Sequence, residues 1–238
     1  MSETLTFITN RAIKTISAAK QVATTWTWPE ESPDQMQTQL VTITGNSTAT
    51  PPVVGQQEIV SQARRVMDLA NGQWETQLAE LHRRTVQGLG MIKNKLRNDP
   101  VALAVLGSLT ANSHSHSETL AEALAWESAW SQLAPTWNPT ATNTLAAFKI
   151  LRKQCAEDLQ AAYSDARADW RAEVEKLNSM ANDLEQSDEA WYADATRVFP
   201  AGTPEGDMIR STIPTTYTPP SPKPQPAPAP STATTKTP

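Results

Sequence analysis

Glycine is scarce in this chain, with 8 among 238 residues, and Cys155 is the only cysteine. The first shortage argues against a turn-dense β fold. The second excludes an intramolecular disulfide, so stability has to come from packing. There are only three histidines, which leaves few general bases or metal ligands. No window contains the roughly 18 consecutive apolar residues of a membrane-spanning helix. Residues 1 to 28 alternate Thr, Asn, Arg and Lys with apolar residues and have no continuous apolar core of the kind a secretory signal carries, so cytoplasm is the expected compartment.

Catalytic grammar is missing as well. The chain contains no G-x-G-x-x-G, Walker-type phosphate loop, G-x-S-x-G, H-E-x-x-H or C-x-x-C. Cys155 falls on an apolar helical position with Lys153 as its sole basic neighbour, so it reads as a small core residue rather than a nucleophile. A Cys155–His82 pair would have to form across two helices. His114 and His116 alternate in a polar loop, where His82 or Glu118 could add a third metal ligand, but two loop histidines read first as solvated side chains. The acid pairs Glu185/Asp188 and Asp165/Asp169 lack the accompanying histidines of a carboxylate-bridged metal bundle and read as a charged face. No catalytic, cofactor-binding or metal residue is assigned, no cofactor is expected, and the chain is read as a non-enzyme.

Abundance lies in helix-forming residues, at helical spacing. Leu5, Ile8, Ala12, Ile16, Ala19, Ala23 and Trp26 form one stripe, predicting an amphipathic helix over 3–26 with Arg11 off it. Pro29 and Pro33 end it. Residues 29–55, rich in Thr, Ser and Pro, read mostly as linker, in which Ser32-Pro33-Asp34-Gln35 caps one short turn. Leu40 to Thr44 has β propensity but no partner run.

A second long pattern follows Thr50-Pro51 through Ile59, Val66, Ala70, Trp74, Leu78, Leu81, Leu89 and Leu96, with a kink expected near Gly88. It stops at Asn98-Asp99, where Asp99 caps a short apolar helix opened by Pro100 and closed by Gly107. Ser117 is the expected cap of the next helix, which Pro135 ends. The longest pattern runs from Leu145 through Phe148, Cys155, Ala166, Trp170, Leu184 and Trp191 to Val198, near the 3.5-residue period of a coiled coil, implying a rod of roughly 80 Å. From Pro214 proline alternates with other residues, which excludes helix and favours a disordered, polyproline-like spacer.

The expected fold is therefore all-α: an elongated bundle of long amphipathic helices (56–213), preceded by an N-terminal helix (1–28) and the linker (29–55), and followed by the tail (214–238). A weak two-fold internal repeat is suggested by Ala70, Trp74, Leu78 and Leu81, which match Ala166, Trp170, Val174 and Leu177 at constant offset. Asp99-Pro100 and Thr203-Pro204 repeat the same cap.

Net charge is −5, and the tail holds Lys223 and Lys236 without an acid, so nucleic acid is not an expected partner. The eight tryptophans are expected mostly in the core. Trp26, Trp28 and Trp137, beside prolines at helix ends, are the better candidates for partner contact. The Asn46-Ser47-Thr48 triplet fits a glycosylation acceptor but carries little weight in this setting. The functional expectation is a non-catalytic structural or interaction protein, contacting a protein partner or copies of itself. The alternative is a membrane-associated protein, resting on the basic, Trp-ended stretch 1–28 and on the layout of Val101 to Leu109 between long helices, similar to that of α-helical pore formers.

Overall fold

The computed structural model describes residues 3–113 and 115–212. The described residues are 77% helical, with no strand among them. The elements are α1 (Glu3–Val22), α2 (Pro33–Thr44), α3 (Gln56–Lys95), α4 (Pro100–Gly107), α5 (His116–Leu133), α6 (Leu145–Lys153), a π-helical turn (Gln154–Leu159), α7 (Gln160–Val198) and α8 (Pro204–Thr212). Through the π turn, α6 and α7 form one continuous helix about 80 Å long at 1.5 Å per residue. The tail from 214 onward, with its expected disorder, lies outside the described residues.

Two long rods form the frame. α3 and the α6–α7 helix run antiparallel: Gln56 at the start of α3 donates to Glu173, Trp74 donates to the Cys155 carbonyl at 3.0 Å, and Arg84 reaches the Thr142 carbonyl. Each end of this pair carries its own apolar core. One gathers Ile8, Ala12 and Ile16 of α1, Met36, Leu40 and Ile43 of α2, Leu184 and Trp191 of α7, and Ile209 of α8. The other gathers Leu81 and Ile92 of α3, Leu106 of α4, Trp126 and Trp130 of α5, Phe148 and Leu151 of α6, and Cys155.

This arrangement repeats. The chain order hairpin, long helix, short helix occurs twice, as α1–α2–α3–α4 and as α5–α6–α7–α8. Each hairpin packs on the other half's long and short helices: α1–α2 on α7 and α8, and α5–α6 on α3 and α4. The halves differ where hairpin joins rod. In the first, Gly45 to Gly55 forms a tight loop, with Asn46 and Val53 exchanging backbone hydrogen bonds at 2.8 and 2.9 Å. A Cβ on Gly55 would lie 2.2 Å from the Gly45 nitrogen, and Gly45 takes φ +81°, so this neck closes only with glycine at both positions. In the second half the π turn replaces the loop. Its wider winding takes carbonyls off the α-helical ladder, and the Cys155 carbonyl accepts the Trp74 indole N–H there. The correspondence is fuller in elements than in residues, since Trp74 is buried and its offset partner Trp170 only half-buried.

Several expectations are corrected. Residues 29–55 hold more than one short turn of helix: Ser32 opens the 12-residue α2 with a complete capping box, its side chain accepting from the Gln35 N–H while the Gln35 side chain accepts from the Ser32 N–H. The stretch Leu40 to Thr44 is helical, because Leu40 and Ile43 share one face that buries against α1 and α7. α1 ends at Val22, leaving Ala23 exposed. α3 stays helical through Gly88 and Gly90. Ser115, not Ser117, caps α5, accepting from the Glu118 N–H. The longest helix starts at Leu145 as expected, with Thr144 as its cap accepting from the Ala147 N–H. Asp99 caps α4 as expected, accepting from the N–H groups of Val101 and Ala102.

Candidate interaction surfaces

Cys155 is fully buried, and burial pushes its thiol up to about 11. A thiol held protonated at neutral pH inside a core is a packing group. His82 is directed elsewhere, its Nδ1 lying 3.2 Å from the Ser113 Oγ, which is 2.9 Å from the Thr119 Oγ1. Glu122 accepts from the backbone N–H groups of Asn112 and Ser113. These bonds tie the α4–α5 loop to α3 and α5. His116 packs edge-on against Trp74, with ring centroids 4.5 Å apart. His114 lies outside the described residues, and among those described no cluster of three His, Cys, Asp or Glu side chains could hold a metal ion.

The tryptophans at helix ends turn inward, against the expectation of partner contact. Trp28 is buried and donates to Asp194 at 3.1 Å, Trp26 packs against Trp191 and Phe199, and Trp137 packs against Trp130, whose indole donates to the Trp137 carbonyl. The Asn46 side chain folds back to accept from the Thr48 N–H and hydroxyl, serving the loop.

Two charged residues lie in the core, neither anticipated as buried. Asp188 is 0% exposed, and neither carboxylate oxygen has a hydrogen-bond partner among the described residues. Burial pushes it up to about 7; Arg11 opposes this, while Glu185, Glu31 and Glu189 add to it. Arg11 of α1 is itself buried, making one long contact of 3.4 Å to Glu189 while its Nε and Nη2 stay unpartnered. Glu31 is held by the Ser187 hydroxyl and the Gln39 amide. The pair Glu185/Asp188 is thus not a charged face. A signal for this existed: Asp188 sits four residues after Leu184 and three before Trp191, on the apolar stripe itself.

Two of the apolar regions on the surface belong to helices that frame or cap the bundle. Between the two cores, no third helix among the described residues gathers on the paired rods, and the stripes are only half covered. Val66 and Leu69 of α3 are 58% and 64% exposed, Ala162 of α7 is exposed, and Trp170 and Val174 are half-buried. An open groove of about 540 Å³ runs beside this waist, lined by Leu69, Gly72, Thr76 and Leu159. The second region is α4, at one end of the molecule, where Val101 and Val105 are 74% and 40% exposed while Ala102 and Leu106 point into the core. By contrast the apolar face of α1 is covered by α2, α7 and α8, so the N-terminal amphipathic face is not free. No helix among the described residues is long and apolar enough to cross a membrane.

Comparison with known proteins finds no matching family model, no matching curated protein and no matching solved structure.

Proposed function

We propose that the chain is a non-catalytic interaction protein, a rigid two-ended helical spacer whose waist receives a helix from a protein partner or from a second copy. The observation that carries this reading is the half-covered seam at Val66 and Leu69. Apolar side chains in this number along a two-helix section cost solubility unless something covers them. Stripes near a 3.5-residue period offer a partner helix the knobs and holes of a coiled coil. The buried, protonated Cys155 and the structural use of His82 give the known nucleophilic chemistries no support here.

Light scattering on a sizing column, for the full chain and for a version ending at Ile213, tests the self-association form directly. The expected result is a defined oligomer in both, converted to monomer by Val66→Glu with Leu69→Glu. Both positions are solvent-exposed, so the fold should survive, with unchanged helical circular dichroism. A monomer at all concentrations would sink self-association and leave a heterologous partner. An oligomer unaffected by the double substitution would remove the waist from the reading.

A further inference from the structure

We propose that the tip made by α4 and the last turn of α3 is a contact site for an anionic lipid surface. The internal repeat supplies a control. α4 and α8 do the same structural job at opposite ends, each opening at a capped proline and packing on a long helix and on a hairpin helix. Capping the bundle demands only the inward residues, Ala102 and Leu106 in α4, Gly206, Ile209 and Thr212 in α8. On the outward face α8 presents Glu205, Asp207 and Ser211 to solvent, whereas α4 presents Val101, Ala104 and Val105. The apolar outer face is therefore not a requirement of the fold, and an exposed apolar patch of this kind marks a contact surface.

Charge identifies what it contacts. Lys93, Lys95 and Arg97 precede α4, all exposed, and none makes an ion pair within 4.0 Å among the described residues. At the equivalent place before α8, Arg197 is neutralised by Asp194 at 2.9 Å. From Pro100 to Ser117 there is no Asp, Glu, Lys or Arg at all, and Asp99 is spent on capping α4. Three free cations flanking a neutral apolar helix in a chain of net charge −5 make a local match for negative headgroups with acyl chains beneath them. Eight residues span only about 12 Å, so α4 would lie in the headgroup region rather than cross the bilayer. The tip offers none of the aromatic anchors that dominate protein interfaces, and its valines would be wasted on nucleic acid.

The test is co-sedimentation of the full chain with phosphatidylcholine vesicles, with and without phosphatidylserine. Binding is expected only to the mixed vesicles and should weaken as salt rises. A basic residue near such a surface contributes about fivefold, so Lys93→Gln, Lys95→Gln and Arg97→Gln together should lower binding about a hundredfold. Val101→Asp with Val105→Asp, at exposed positions, should abolish it with thermal stability retained. Failure to bind mixed vesicles would overturn the proposal. So would binding that ignores phosphatidylserine, or binding that survives both sets of substitutions. Intact oligomerisation in the tip variants would keep this outcome separate from that of the waist.

Discussion

Asp188 makes the stability of the molecule depend on pH in an unusual direction. Its carboxyl titrates near 7 in the fold against 3.8 in an ordinary setting. Between those values the folded state holds a proton that the unfolded chain has released. The stabilisation is therefore complete below about pH 4 and lost as pH rises through about 7, a difference on the order of 4 kcal/mol for a shift of this size. Asp188→Asn removes the charge with little change in shape. It should raise the melting temperature at pH 8 by several degrees and flatten the fall in stability between pH 5 and 8, both measurable by circular dichroism melts. A variant with the wild-type pH profile would show that another group carries it. The clue to Asp188 was its place on an apolar stripe. Arg11 gave less warning: it lies three residues after Ile8, but long basic side chains at such positions commonly snorkel to solvent.

Two glycines of α3 separate helix propensity from packing. Gly88 and Gly90 each cost the helix about 1 kcal/mol relative to alanine. At Gly90 an added Cβ meets nothing within 4 Å, so Gly90→Ala should stabilise by up to that amount. At Gly88 the same Cβ would lie 2.6 Å from the Trp126 ring of α5. Trp126 is fully buried, and overpacking of this kind costs about 1 to 3 kcal/mol. Gly88→Ala should therefore be net destabilising, by up to about 2 kcal/mol in urea unfolding. Gly88 is present for close approach. From sequence alone it reads as a weak point, because the ring that needs the space lies on another helix.

The same contrast explains which elements were legible. Asp99-Pro100 announces α4 because cap and first turn are local chemistry. α2 is obscured by threonines and β-branched residues that lower helix propensity. It forms because Met36, Leu40 and Ile43 are buried together, a tertiary effect overriding a local one. Ser115 and Ser117 are equally good caps in isolation. The π turn has no Gly or Pro to mark it, and its reason is Trp74, some 80 residues away in sequence. The candidate surfaces were legible only in part: the apolar stripes can be read, but which stretch of each stays uncovered depends on where the hairpins end.

At the scale of the molecule, the crossing of the two hairpins sets an order of events. The core around Trp126 and Leu81 is built from residues 74–155, contiguous in the chain. The other joins Leu5 to Ile43 with Leu177 to Ile209, at separations of well over a hundred residues. Contacts so distant in sequence pay more loop-closure entropy and form slowly. Pulse-labelled hydrogen exchange during refolding should therefore protect amides of residues 78–151 before those of residues 5–43; simultaneous protection would show the halves to be one folding unit. During synthesis the consequence is sharper. The α1–α2 hairpin emerges well before the rod it packs on. At 5–20 residues per second it waits on the order of ten seconds with Ile8, Ile16, Met36 and Ile43 uncovered. A segment translated well before its packing partner is housed late, and through that interval it is a client for any chaperone that holds apolar helices at the ribosome.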